Sequence, residues 1–206
     1  MKTRSLIFLG VMILGVIIFI TARGIVSGDK LFAQDKKARV LVVYFSATGN
    51  TEKMARGVAE GAQKVAGVDV LVRTVESVTK EEVEDAEGLI LGSPVYYANM
   101  AAPMKQFIDN WFSQKIVLFD KVGGAFATGG GLTAGRETTV NSLLLAMLNN
   151  GMIVVGPLYE SWGTFGSSAR TAPPDEGVNE EEMDDARRLG ERVARVAMKM
   201  KGTSRD

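Results

Sequence analysis

The chain has 206 residues, and its 24 basic and 24 acidic side chains give a formal net charge of zero. A protein that binds nucleic acid needs a basic face to neutralise phosphates, so this balance argues against that class of function. The sequence has no cysteine and no histidine, which excludes disulfides, thiol catalysis and iron–sulfur ligation and removes the commonest general base and metal ligand. Chemistry must therefore come from a bound cofactor, from carboxylates, or from backbone and hydroxyl groups.

The N-terminal segment is interpreted as a membrane anchor over residues 1–22, followed by a polar tether over residues 23–38. The 17 residues Leu6–Ala22 carry no charged side chain, which is the short end of a membrane-spanning helix. A signal peptide is the alternative, although Leu31 makes the sequence up to Ala33 a poor cleavage site because a small residue is needed there. More Lys and Arg residues follow the run than precede it, which favours a bacterial inner-membrane protein with its domain in the cytoplasm.

From residue 39 onward, strands and helices alternate, and we assign residues 39–202 to one domain. Short apolar, β-branched runs predict buried parallel strands, over residues 40–45, 68–75, 88–92, 122–128 and 152–155. Apolar residues at helical spacing, together with capping signals, predict helices over residues 51–66, 79–85, 103–112, 136–149 and from Asn179 onward. The interval 157–178 is rich in Gly, Ser and Pro, which predicts a loop.

This alternation predicts an α/β fold built on a doubly wound, five-stranded parallel sheet. Crossovers between parallel strands are right-handed, and ligands bind beyond the carboxyl ends of the strands, where the strand order reverses. We therefore expect the loops after strands one, three and four to form the functional site.

The first of these loops directly follows a buried strand and opens a helix. It contains three hydroxyl side chains and one glycine, and the N–H groups at a helix start attract anions. The Gly-Lys-Ser/Thr of a Walker loop and the spaced glycines of a dinucleotide fingerprint are both missing from it. A neutral cradle of this kind suits a terminal phosphate monoester, and the alternative is an ordinary polar turn. The candidate binding residues are Ser46, Ala47, Thr48, Gly49, Asn50 and Thr51.

This loop, placed after the strand VLVVYF, resembles the phosphate loop of the flavodoxin superfamily. The likeness extends over nearly all of residues 39–201. The resemblance implies a flavodoxin-like fold with strand order 2-1-3-4-5 and a non-covalently bound FMN, whose phosphate the first loop would hold.

Two further loops carry the rest of the resemblance. The second has two adjacent tyrosines that can offer a flat face to an aromatic ring, and in this superfamily it wraps the isoalloxazine. Its candidate residues are Ser93, Pro94, Val95, Tyr96, Tyr97, Ala98 and Asn99. The third loop is rich in glycine, which permits close backbone approach to a ligand, and its candidates are Thr128, Gly129, Gly130 and Gly131. The alternatives are a tyrosine packed on the domain surface and a plain flexible loop.

Within the superfamily, the Asn99-Met100 pair with Pro103 and the stretch GGGLTAGRETT resemble the NAD(P)H:quinone oxidoreductases related to the tryptophan-repressor-binding protein. Two features depart from that branch. Asn150 stands where a histidine often reaches the flavin site, and the segment 75–87 is too short for the insertion that helps tetramers form. No metal-ligand cluster stands out. We assign no catalytic side chain, because the cofactor would carry the chemistry.

Three functions are compatible with these features. The resemblance implies an FMN-dependent enzyme that takes a hydride from NAD(P)H and passes two electrons to a quinone-like acceptor, with a homo-oligomer as one expected state. The second is a membrane-tethered, flavodoxin-like electron carrier with a redox-protein partner. Such carriers are typically acidic, so the balanced charge counts against this function. The third is a non-catalytic scaffold or flavin sensor, which no residue favours.

Overall fold

The computed structural model describes residues 37–158, 165–171 and 177–203. The predicted membrane anchor, residues 1–22, and nearly all of the predicted tether lie outside these ranges. Within them, no helix combines the length and the hydropathy that a passage through a bilayer requires.

The described residues form seven strands and five helices. The strands are β1 Ala38–Tyr44, β2 Val68–Thr74, β3 Gly88–Tyr96, β4 Asn99–Met100, β5 Val122–Gly129, β6 Ile153–Val154 and β7 Ser167–Arg170. The helices are α1 Asn50–Gln63, α2 Lys80–Asp85, α3 Ala102–Ser113, α4 Arg136–Asn149 and α5 Glu180–Thr203.

The strand order is β2-β1-β3-β5-β6, and all of these pairs are parallel. Strand β6 pairs with the start of β5 and β7 with its end, so together they form one interrupted edge strand. The flavodoxin-like parallel sheet and the predicted order of its strands, 2-1-3-4-5, are confirmed. The predicted fourth strand is β5, and the short strands β6 and β7 together take the place of the fifth.

Two predictions about the strands are wrong. The third strand was expected to end at Gly92 but continues to Tyr96, where the short strand β4 pairs with it in the antiparallel direction. The interval 157–178, predicted as a loop, contains strand β7. Its sequence, Ser-Ser-Ala-Arg, has little intrinsic strand preference, and pairing with β5 imposes the extended conformation.

Alternate residues of the central strands face two apolar layers, as the two-residue period of a strand requires. Val40 and Val42 point to the layer that contains α1 and α5. Leu41 and Val43 point to the opposite layer, which α3 and α4 cover. Helices therefore cover both faces of the sheet, which is the doubly wound arrangement.

Close approach of α1 and α5 fixes the position of the helix that starts at the first loop. A Cβ at Gly61 would collide with the backbone of Arg187, and a Cβ at Gly190 would collide with the backbone of Val58. Both glycines are needed because the two helix backbones touch. At the other end of the pair, the Lys53 ammonium donates to the carbonyl of Val178 at 2.7 Å.

Candidate cofactor site

Three loops meet at the carboxyl edge of the sheet. Tyr44, Gly92 and Phe126 are in register across β1, β3 and β5, so the segments beyond them leave from the same edge. The amide of Phe45 donates to the carbonyl of Gly92 at 3.1 Å. We call residues 46–51 loop 1, residues 93–100 loop 2 and residues 128–135 loop 3.

Loop 1 leaves the amino end of α1 open. Gly49 has a φ of 93°, in the left-handed region that favours glycine, and its amide donates to the Ser46 hydroxyl at 3.1 Å. Gly49 is the N-cap of α1, and no side chain of the described residues caps this end of the helix. Apart from its two chain neighbours, no described residue has an atom within 4 Å of the place where a Cβ of Gly49 would stand. An uncapped helix start facing open space is an anion-binding arrangement.

The three hydroxyls predicted to face a ligand lie in three different environments. The Ser46 hydroxyl is used inside the loop, while Thr48 is exposed and lies 3.5 Å from the side-chain nitrogen of Asn50. Thr51 is buried, and its Oγ1 lies 2.8 Å from Oγ1 of Thr128, which is also buried. The Thr51–Thr128 hydrogen bond joins loop 1 to loop 3, whereas Thr48 is the hydroxyl on the open surface.

Loop 2 is a tight β-hairpin whose two turn residues have unusual conformations. Tyr97 and Ala98 have φ values of 50° and 61°, as in the two-residue turn that favours Asn-Gly. Residues other than glycine rarely adopt such values, and they cluster at binding sites. A Cβ on Gly135 would stand 2.5 Å from the Cα of Ala98, so loop 3 supports this turn from beneath. The Tyr97 side chain is fully exposed and Tyr96 is partly exposed.

Not every predicted residue of loop 2 reaches the surface. Ser93 is fully buried, where its hydroxyl donates to the carbonyl of Pro94 at 2.8 Å and accepts from the amide of Ala101 at 2.9 Å. Ser93 therefore shapes the loop from inside. Asn99 is exposed, and its side-chain oxygen accepts from the amide of Met100 at 2.8 Å.

Loop 3 brings glycine backbone against both neighbouring segments. Gly129 is buried, and a Cβ there would stand 3.0 Å from Cγ2 of Val95 and 3.2 Å from Cγ of Arg136. Gly130 and Gly131 are half-buried. Loop 3 thus contacts both loop 1 and loop 2, and that the three loops form one site stays a prediction.

Sequence reasoning missed two cations near this edge. Arg136 is the first residue of α4, and Arg170 is in register with Gly129. Helix α4 begins after Gly135, at a φ of 90° and without a side-chain cap. The helix dipole disfavours a cation at a helix start. Arg136, which opens the predicted helix in the stretch GRETT, was therefore an unusual residue for its position, and the sequence alone could have drawn attention to it. No sequence signal pointed to Arg170, because β7 was not predicted.

Tyr44 lies at the end of β1, where loop 1 begins. Burial raises the pKa of its hydroxyl, and the carboxylate of Glu52 raises it further. The phenol is therefore neutral near pH 7 and adds no charge beside loop 1.

Comparison with known proteins assigns the family. The family model described as NADPH-dependent FMN reductase matches residues 75–165. The chain is 33% identical over 197 residues to the NAD(P)H dehydrogenase (quinone) of Archaeoglobus fulgidus, across 79% of this chain and 99% of that protein. The chain belongs to the FMN-dependent NAD(P)H oxidoreductases of the flavodoxin superfamily.

This oxidoreductase is also 37% identical over 157 residues to a flavodoxin of Aquifex aeolicus, across 76% of this chain and 85% of that protein. Among solved structures, the flavodoxin, WrbA-like protein from Agrobacterium tumefaciens is similar, with a TM-score of 0.66 and 26% identity, over 80% of this chain and 99% of that one. The predicted superfamily, FMN cofactor and class of enzyme are confirmed. The contacts of individual site residues stay predictions.

The oxidoreductase's own residues fit FMN. The open start of α1 suits a phosphate, since backbone N–H groups and the exposed Thr48 hydroxyl can donate to it. The exposed ring of Tyr97 offers an aromatic face. The glycine backbone of loop 3 allows a planar ring to approach closely.

Proposed function

We propose that this oxidoreductase reduces a quinone-type acceptor at the expense of NAD(P)H, with FMN held by the predicted residues of loops 1, 2 and 3. The observation that carries the proposal is the uncapped start of α1, which lies at the same edge of the sheet as the exposed tyrosine turn of loop 2. FMN, when bound, accepts a hydride from the nicotinamide and passes electrons to the acceptor.

Each loop would then have a distinct task. Loop 1 would hold the phosphate through helix N–H groups and the Thr48 hydroxyl, since hydrogen bonds to a charged group are the stronger kind. The buried pair of Thr51 and Thr128 would keep loops 1 and 3 at a constant spacing. Tyr97 would lie along the isoalloxazine ring.

Arg136 and Arg170 would supply positive charge where β5 ends. A cation there stabilises negative charge that develops on the ring system, and it attracts the phosphates of NAD(P)H. Leu132 and Tyr97 are both exposed, so the described part of the chain leaves this side of the site open. Nucleotide and acceptor can therefore use the same opening in turn, which predicts ping-pong kinetics.

The test is anaerobic stopped-flow mixing of the FMN-loaded full chain with NADH and with NADPH, followed at the visible absorbance of the flavin. Fast bleaching by either nucleotide, followed by reoxidation with benzoquinone, is the expected result. Bleaching without reoxidation by quinones would reject the acceptor, and absence of bleaching would reject NAD(P)H as the donor.

The second candidate is an electron carrier, which the 37% identity to a flavodoxin favours. A carrier would bind FMN through the same loops but would receive electrons from a protein reductase. Its signature would be slow reduction by both nucleotides together with a stable one-electron state during chemical titration.

Membrane attachment through residues 1–22, with the domain on the cytoplasmic side of a bacterial inner membrane, is part of the proposal. Its support is the uncharged run Leu6–Ala22. Flotation with lipid vesicles should recover the full chain, whereas a chain without residues 1–22 should stay in solution and keep its flavin. A truncated chain that still floats would contradict this role for the segment.

A further inference from the structure

An apolar surface lies at the edge of the sheet opposite the cofactor loops. Its members are the exposed aromatic and aliphatic side chains of Phe112, Val117, Phe119, Leu145 and Leu148. Phe112 is 92% exposed and Phe119 is 72% exposed, although phenylalanine is among the residues most often buried. We call these five residues the amino-edge patch.

The topology places the patch at this edge. Parallel strands all start at one edge, and the helices between them end there. Phe112 lies in the last turn of α3, and Phe119 lies in the segment that leads into β5. Leu145 and Leu148 share one face near the end of α4. The Phe119 ring contacts Gly151, just beyond that helix, so the two parts of the patch are neighbours.

The chain also enters the domain at this edge. Strand β1 begins at Ala38, in register with Val68 at the start of β2. The carbonyl of Lys37 accepts a hydrogen bond from the Lys201 ammonium at 2.9 Å. The uncharged run Leu6–Ala22 precedes this point in the sequence. The edge that carries the patch is therefore also the edge at which Lys37, the first described residue, enters the domain.

We propose that the amino-edge patch rests on the lipid surface of the membrane. Phenylalanine and leucine side chains enter the boundary between headgroups and acyl chains, while lysines attract anionic headgroups. Lys115 is exposed between Phe112 and Val117 in the sequence and can meet such headgroups. A patch of five side chains binds lipid weakly alone, but a short tether raises its effective concentration at the surface.

This orientation has a consequence for the acceptor. Strand β5 runs from Val122 to Gly129, which spans about 25 Å at roughly 3.3 Å per residue. The cofactor loops would therefore open into water, away from the lipid. A water-soluble quinone meets the site in this orientation, whereas a quinone whose ring stays within the bilayer does not.

The absence of cysteine from the sequence makes any introduced cysteine a unique labelling site. Phe119→Cys and Leu145→Cys would each be labelled with an environment-sensitive fluorophore in the full chain, reconstituted in vesicles of phosphatidylcholine and phosphatidylglycerol. Glu76→Cys is the matched control, because Glu76 is exposed and follows β2 at the carboxyl edge. Lipids that carry a spin label in the acyl chain quench only fluorophores that reach the bilayer.

The expected result is a blue-shifted emission and quenching of the label at positions 119 and 145, which would lie at the depth of an interfacial side chain, with neither change at position 76. Equal quenching at all three positions would overturn the proposal. The Phe119 ring contacts Gly151, so replacing Phe119 removes a contact within the fold. The label at position 145 leaves that contact intact and tests the same surface if the position-119 variant misfolds.

The proposal rests on the membrane attachment proposed above, and flotation of the full chain tests that part separately. If the full chain does not float, both proposals fail. If it floats but position 119 is not quenched, only the docking face is wrong. A blue shift at position 119 that grows with protein concentration without lipid would assign the patch to contact with a second copy and would also overturn the proposal.

Discussion

Helices α2 and α5 begin differently from helices α1 and α4. At α2, the Thr79 hydroxyl accepts from the amide of Glu82 at 3.2 Å, and the Glu82 carboxylate accepts from the amide of Thr79 at 3.1 Å. Asn179 and Glu182 make the same reciprocal pair at α5, at 2.9 and 3.0 Å. Both helices thus satisfy part of their own N–H groups by a capping box.

Helices α1 and α4 begin instead at Gly49 and Gly135, which lie in the left-handed conformation and provide no side-chain cap. N–H groups at a helix start need partners, and among the described residues no side-chain cap supplies them at these two ends. Changes at the capped ends should therefore alter the free energy of unfolding, whereas changes at the open end of α1 should alter FMN affinity.

Closing the open end of α1 should change FMN affinity more than any other substitution below. Gly49→Asp places a carboxylate where FMN phosphate is proposed to bind, and Asp tolerates a positive φ better than most residues. Two unit charges about 4 Å apart repel by about 4 kcal/mol at an effective dielectric constant of about 20, so FMN affinity should fall by roughly a thousandfold. Fluorescence titration of the apoprotein measures the dissociation constant.

Gly49→Asn is the matched control, because it adds nearly the same volume and the same capping oxygen without the charge. Its loss of affinity should be clearly smaller than that of Gly49→Asp. Equal losses in the two variants would show that space, and not the phosphate charge, matters at this position.

The second prediction separates the buried threonine pair from the exposed Thr48. Thr51→Val or Thr128→Val alone leaves one buried hydroxyl without its partner and should lower the free energy of unfolding by about 1–3 kcal/mol. The double variant should lose less than the sum, because neither hydroxyl is then left unpaired. Denaturant unfolding of all four proteins gives the coupling energy.

FMN affinity provides the complementary measurement. Thr48→Ala should weaken FMN binding by about 1–2 kcal/mol if its hydroxyl donates to the phosphate, and it should leave stability unchanged. A strong loss of affinity in the double valine variant, without loss in Thr48→Ala, would reverse the roles assigned to Thr48 and to the buried threonine pair.

At the capped end of α2, Thr79→Ala should lower the free energy of unfolding by about 1 kcal/mol, since the helix loses its N-cap. FMN affinity should not change, because this helix start is satisfied within the chain. Thermal unfolding of the apoprotein and FMN titration test the two halves of the prediction. A weaker FMN complex with normal stability would contradict the distinction between the two kinds of helix start.

The same capping box predicts a dependence of stability on pH. The hydrogen bond from Arg73, together with the one from the Thr79 amide, lowers the pKa of Glu82 below its ordinary value. A carboxyl whose pKa is lower in the folded state stabilises the protein above its unfolded pKa and loses that contribution as the pH falls through the folded pKa. Glu82→Gln should therefore flatten this part of the acid-unfolding profile relative to wild type.

The smallest expected effect concerns Arg136 at the open end of α4. Arg136→Gln removes the positive charge of a side chain whose Cγ lies beside Gly129 and should make the midpoint potential of bound FMN more negative. A surface charge at a helix end contributes about 0.3–1 kcal/mol, which corresponds to roughly 5–20 mV for a two-electron couple. Spectroelectrochemical titration measures the shift, and the neighbouring change Glu137→Gln, which should move the potential the other way, is the control.

Much of the fold could be predicted because its signals are local. Apolar runs such as residues 122–128 and the helix 136–149 were placed almost as the structure has them. The capping signal at Asn179 and Glu182 also located the start of α5. Loop 1 was recognisable because a hydroxyl-rich turn between a buried strand and a helix is itself a local pattern.

The amino-acid sequence alone was enough to predict the class of fold and to exclude cysteine and histidine chemistry, and it showed the resemblance of loop 1 to a flavodoxin phosphate loop. Three features became visible only in the folded chain: Ser167–Arg170 is a strand, Tyr97 and Ala98 form a tight turn over Gly135, and Thr51 bonds to Thr128. Each of these features depends on partners that are distant in the sequence. Hydrophobic period and turn chemistry indicate which element a segment forms, but contacts between distant segments are decided by packing, which no local pattern contains.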